Sequence, residues 1–189
     1  MLALYSASAA FTAPMLPAAS ATRSAAVSMA SLENMIGKYS VKGDIFDPLN
    51  LATKYDLNWL REAEIKHGRV CMLAFLGFIA NDAGLKFPGE VFQGVSSIDA
   101  HDKMVASGHM WALLVIVGLC ELLHFSVVVP KLDGDWGTWE PGNYGLDPFK
   151  LDTPYRRESE LKNGRLAMIA FSGLVTQAGL GAVAPYHTL

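Results

Sequence analysis

The sequence predicts an all-α membrane protein of three transmembrane helices, with the first and third crossed as a pseudo-two-fold pair. Three observations predict it. Half of the 189 residues (51%) are hydrophobic and only 17% are charged, below the roughly 25% usual in soluble domains, and the mean hydropathy is +0.26. Three long helical segments stand out, at about 55–84, 102–129 and 154–182, joined by loops rich in Gly and Pro. A stretch of the first segment also returns in the third: residues 64–77, EIKHGRVCMLAFLG, match 160–173, ELKNGRLAMIAFSG.

In chain order, residues 1–29 differ in kind from the rest. They are rich in Ala, Ser, Thr and Pro, with one Arg and no acid, the composition of an organelle transit peptide. Residues 7–14, around Phe11, resemble the Phe-centred import motif of plastids bounded by extra membranes, and cleavage is expected near 27–30. Residues 30–189 then form one domain, as the length suggests. A helix needs about 20 residues to cross a bilayer core. The second segment comes closest: from 110 to 129 its only ionisable residues are Glu121 and His124. The apolar parts of the other two, 70–80 and 166–175, are short and follow Glu, Lys and Arg. Alone, each reads equally as an amphipathic helix of a soluble bundle, so their charges must be neutralised for a membrane reading to hold.

The loops support that reading. Lys38, Lys42, Lys54 and Arg61 precede the first span, and Lys131, Lys150, Arg156 and Arg157 lie at or near the connection between the second and third. The intervening loop has only Lys86 and Lys103, so cations gather on one face, as the positive-inside rule requires. Trp136, Trp139, Tyr144 and Tyr155 read as an interfacial aromatic belt, and His109 as interfacial. Cys71 and Cys120 lie in apolar helical stretches and read as inert thiols. A net charge of −3 without a Lys/Arg run gives no footprint for nucleic acid.

The repeat supplies the neutralisation. Five residues separate Glu64 from Arg69, roughly 140° around a helix, so they pair poorly with each other. A crossing helix offers better partners: Glu64 with Arg165, and Glu160 with Arg69. Gly68 and Gly164 sit beside them and permit close approach. A second repeated element precedes each helix, 43–51 (GDIFDPLNL) against 142–151 (GNYGLDPFKL). A carboxylate paired with Arg keeps free oxygen lone pairs. It can therefore meet a hard cation such as the central Mg²⁺ of chlorophyll without leaving net charge in lipid. Glu64, His67, Glu160, Asn163 and Gln177 are suitable donors, and Asn163 stands in the slot of His67.

These motifs, Glu64-x-x-His67-x-Arg69 and Glu160-x-x-Asn163-x-Arg165, each preceded by an Asp-Pro loop, resemble the first and third spans of the light-harvesting chlorophyll-binding superfamily. The resemblance covers about 40–182 and is nearer the algal chlorophyll a/c branch, the fucoxanthin- or peridinin-type antennae. It implies chlorophyll a, chlorophyll c and xanthophyll as cofactors, with Mg ligands at Glu64, His67, Glu160, Asn163 and Gln177. Arg69 and Arg165 become ion-pair partners, and the segments at Asp47 and Asp147 hold carotenoid head groups. In the second span only Glu121 carries over. Leu113 lies where the family offers Gln, no Arg accompanies Glu121, and His124 stands where a basic partner would be; Glu121-x-x-His124 reads either as a further pigment-binding pair or as Glu121 beside a neutral interfacial His124. His187 stands near the place of a C-terminal His ligand.

The implied function is that of an antenna scaffold in the plastid thylakoid membrane, multi-pass, passing excitation to a photosystem core beside other antenna proteins and lipids. It is not an enzyme. Two alternatives remain open: a photoprotective, energy-quenching member of the same family, and a di-iron carboxylate enzyme built on Glu64/His67 and Glu121/His124.

Overall fold

The computed structural model describes residues 35–38, 40, 41, 44–128, 140–145 and 147–181. The targeting segment, Trp136, Trp139 and His187 lie outside these residues. A two-residue ribbon opens the described chain, β1 (Ser40–Val41) antiparallel to β2 (Asp44–Ile45). A 3-10 turn at Leu51–Thr53 leads into α1 (Leu57–Asp82). After a second 3-10 turn at Glu90–Phe92 come α2 (Ala100–Ala106), α3 (His109–Val128) and α4 (Pro154–Gly179).

Each long helix begins and ends for a local reason. The Asp56 carboxylate caps α1 by accepting from the Trp59 amide at 2.9 Å, and Gly84, at φ +89°, lies just beyond its end. Thr153 does the same for α4, whose first residue, Pro154, lacks an N–H that would go unused there. The second expected segment is not continuous. Gly108 takes φ +85° and divides it into α2 and α3, a conformation only glycine adopts readily. The Ser107 hydroxyl lies 2.9 Å from His109 Nδ1 and fixes the corner. The 20 residues of α3 contain an 18-residue stretch of mean hydropathy 2.1 and extend about 30 Å, the thickness of a bilayer core. By length and composition α3 is the helix apolar enough to cross among those described; α1 and α4, 26 residues each, are about 39 Å long.

α1 and α4 pack directly on each other. The loop after α1 folds back on that helix's end: Asn81 Nδ2 donates to the Val95 carbonyl and to Ser97 Oγ, and Ser97 Oγ donates to the Phe78 carbonyl at 2.9 Å. There is little apolar interior. Among the described residues the buried hydrophobic side chains are Ala52, Val95, Val128, Leu161 and Leu174. Leu73, Leu76, Leu166, Ile169 and most of α3 point outward, Leu73 at 72% exposure. A water-soluble chain of this composition would bury those faces.

Candidate functional site

The site is built where α1 crosses α4. A Cβ placed on Gly68 would lie 3.0 Å from the Gly164 Cα, so the two backbones touch at their glycines. That contact brings the repeated charges into register. Arg165 Nε donates to Glu64 Oε1 at 2.7 Å, and Arg69 Nε donates to Glu160 Oε1 at 2.6 Å, so both expected reciprocal pairs form.

A third cation joins one side. Arg61 donates to Glu64 Oε2 at 2.6 Å and to the Ile36 carbonyl at 3.1 Å, while Arg165 donates to the Gly37 carbonyl at 2.7 Å. These two arginines hold the N-terminal arm against the cross. The equivalent of Arg61 in the repeat is Arg157, which is ion-paired with Glu140 and Asp152. Burial at the surface of the loop is slight, and hydrogen bonding from Arg157 holds the Asp152 carboxyl below its ordinary range.

The loops that precede the helices also repeat, with a different glycine from the one expected. Gly142 (φ +80°) rests on Ile65, and Gly37 (φ +73°) rests on Leu161, its counterpart in α4. Gly37, not Gly43, is therefore the partner of Gly142. Met35-Ile-Gly-Lys-Tyr corresponds to Glu140-Pro-Gly-Asn-Tyr, and the β1–β2 ribbon falls in the extra length that hides this in the sequence. The Asp-Pro match does hold in the backbone. The Asp47 carboxylate accepts from the amides of Leu51 and Ala52, and the Asp147 carboxylate from those of Leu151 and Asp152. Asn50 and Lys150 take the same left-handed conformation, φ 50° and 51°. Both carboxylates thus shape their own loops.

His67 and Asn163 have equivalent surroundings. His67 Nδ1 lies 2.7 Å from the Ala63 carbonyl, and Asn163 Nδ2 donates to the Ser159 carbonyl at 2.8 Å, each four residues back. A carbonyl only accepts, so Nδ1 carries the proton and Nε2 keeps its lone pair. Asn163 likewise keeps Oδ1. Among the described residues no hydrogen bond engages His67 Nε2, Asn163 Oδ1 or the Gln177 amide, and all three residues are exposed. Each leaves one neutral donor atom free, which could hold a metal ion through a single bond.

α3 meets the cross through two side-chain rungs. Lys66 Nζ donates to Glu121 Oε2 at 2.7 Å, and His124 Nε2 lies 3.4 Å from Glu62 Oε1. Glu121, which has no matching Arg on its own helix, thus finds a cation on another. His124 has both ring nitrogens engaged, since Nδ1 lies 3.3 Å from the Tyr144 hydroxyl. Tyr144, expected in an aromatic belt, donates to Glu62 and lies under the Arg69 guanidinium, 5.5 Å from its ring centre. Burial, then the hydrogen bond to Glu62 and its charge, push the Tyr144 phenol above its ordinary range. Between α1 and α3 these rungs frame a groove of about 440 Å³ lined by Trp59, His67, Glu121 and Phe125.

Sequence reading missed Glu62, which is 2% exposed and accepts from the Gly142 amide and Tyr144. A signal was present: Arg61-Glu-Ala-Glu64 matches Arg157-Glu-Ser-Glu160, so the repeat starts three residues before Glu64. The di-iron alternative needs Glu64, His67, Glu121 and His124 to converge on metal. Instead Glu64 accepts from two arginines, Glu121 from Lys66, and His124 faces Glu62.

The family model for chlorophyll A-B binding protein matches residues 28–179. The chain belongs to this family. Within it, the chain is 31% identical to fucoxanthin-chlorophyll a-c binding protein D, chloroplastic, of Phaeodactylum tricornutum, over 89% of this chain and 90% of that protein. It is 30% identical to the fucoxanthin-chlorophyll a-c binding protein, chloroplastic, of Trieres chinensis, over 92% of this chain and 91% of that one. It is also 35% identical to light-harvesting complex stress-related protein 1, chloroplastic, of Chlamydomonas reinhardtii, over 71% of this chain and 60% of that protein.

Proposed function

We propose that this chain is a light-harvesting antenna protein. It is a non-enzymatic scaffold of three membrane-spanning helices, α1, α3 and α4, in the plastid thylakoid. It binds chlorophyll a, chlorophyll c and a fucoxanthin- or peridinin-type carotenoid and passes excitation to a photosystem core, among other antenna proteins and lipids. The bound pigments supply absorption and excitation transfer; the chain supplies their spacing. Residues 30–189 form this domain, preceded by the plastid-targeting segment 1–29.

The observation that carries the reading is the matched pair of donors, His67 Nε2 and Asn163 Oδ1, on a cross whose charges are neutralised from within. Glu64, Glu160, Gln177 and Glu121 complete the proposed Mg ligands. His124 serves packing instead, because its nitrogens are engaged. The outward apolar faces of all three long helices support the assignment, since pigment and lipid would cover what the protein leaves bare.

The test is pigment stoichiometry of the full chain refolded with chlorophyll and carotenoid. Wild type should take up both. His67→Leu and Asn163→Leu should each lose one chlorophyll per chain, whereas Asn163→His should keep it. A chain that refolds without colour, or leucine variants with full pigment, would end the proposal. The similarity to the stress-related protein favours a quenching role as the second reading, and a shortened chlorophyll fluorescence lifetime in the isolated protein would select it.

A further inference from the structure

Three of the carboxylates on the long helices near the cross are each met by a Lys or Arg from a different helix: Glu64 by Arg165, Glu160 by Arg69, and Glu121 by Lys66. The first two pairs follow from the repeat. The third does not, because α3 has no counterpart in it and residue 162, the repeat equivalent of Lys66, bonds within its own helix to Glu158 at 2.7 Å. We propose that Lys66 is the positioning residue for a pigment-ligating carboxylate at Glu121, supplying from α1 the counter-charge that α3 lacks. The proposal rests on the antenna reading.

The geometry suits that role. Lys66 Nζ contacts Oε2 alone, and among the described residues no hydrogen bond engages Glu121 Oε1. A compact ammonium is a point charge, whereas a guanidinium fork can take both oxygens of a carboxylate. Arg69 likewise contacts a single oxygen of Glu160. Both Lys66 and Glu121 line the groove between α1 and α3, where Gly118 leaves the α3 wall open, with no atom within 4 Å of a Cβ built there. Without Lys66, the Glu121 carboxylate loses the ion pair that orients it and balances its charge in the groove. The second rung, Glu62 to His124, fixes the register that brings Glu121 opposite Lys66.

The experiment uses the full chain refolded with chlorophyll a and a carotenoid extract, scored by chlorophyll per chain and by circular dichroism of the red chlorophyll band. Lys66→Met should lose one chlorophyll and match Glu121→Leu in both readouts. The double variant Lys66→Met/Glu121→Gln should regain it, because a neutral amide oxygen needs no counter-charge. That rescue is what a purely structural salt bridge would not show. Full stoichiometry in Lys66→Met, or in Glu121→Leu, overturns the proposal. Should Lys66→Met fail to fold at all, the double variant decides: recovery supports the assignment and continued loss overturns it. Wild type that takes up no chlorophyll sinks the antenna reading itself, before any variant is compared.

Discussion

Glu64 accepts from two arginines and Glu160 from one, although the sequence around them is nearly the same. The difference should be measurable. Removing Arg165 leaves Glu64 with Arg61, but removing Arg69 leaves Glu160 alone. Arg69→Leu should therefore destabilise the refolded protein more than Arg165→Leu and, on the proposed membrane-spanning arrangement, approach the cost of an unpaired charge in a bilayer, about 2.5–3.5 kcal/mol. Adding Glu160→Leu should recover part of the loss, read as thermal loss of the pigment signal. At this scale the reciprocal pairs were legible because helical angles alone forbid Glu64 from meeting Arg69. The roles of Arg61, Glu62 and Lys66 were not, because their partners lie on a loop, an arm or a helix outside the repeat. Periodicity within one helix says nothing about those contacts.

The α1–α4 crossing depends on two glycines whose backbones touch. Gly68→Val would drive branched carbons into the α4 backbone and should cost about 1–3 kcal/mol or more, seen as a lower melting temperature and reduced pigment yield. Gly77→Ala, with open space at its Cβ, should be nearly silent. At the start of α4, hydrogen bonding from Arg157 lowers the Asp152 pKa, so this staple contributes at neutral pH and is lost only as pH falls through the folded value, below the ordinary carboxylate range of about 4. An acid titration of stability should thus show a contribution absent in Asp152→Asn, small because Asp152 is solvated. The starts of α1 and α4 lie within two residues of those expected at 55 and 154, where Asp56, Thr153 and Pro154 set them by their own chemistry. The break at Gly108 was not, since one glycine inside an apolar run is compatible with a continuous helix as well as with a corner.

Taken whole, the described residues form helices, loops and pairs of charges with almost no apolar interior. Three long helices were visible in the sequence as segments. How they stand together was visible only for the repeated two, because α3 shares no motif with them. Removing pigment should therefore loosen the molecule: the apo chain in detergent should lose its cooperative thermal transition and become open to protease, while pigment restores both. One feature of the cross also bears on how the molecule is made. Its ion pairs join residues 91 and 101 positions apart, so when α1 leaves the ribosome its partners have not been synthesised. Arg61 can shelter Glu64 meanwhile, but Arg69 finds no carboxylate until Glu160 follows, with only the Tyr144 ring made before it. Contacts so distant in sequence form only once α4 has docked on α1, so both reciprocal ion pairs close late in assembly rather than as each helix takes shape.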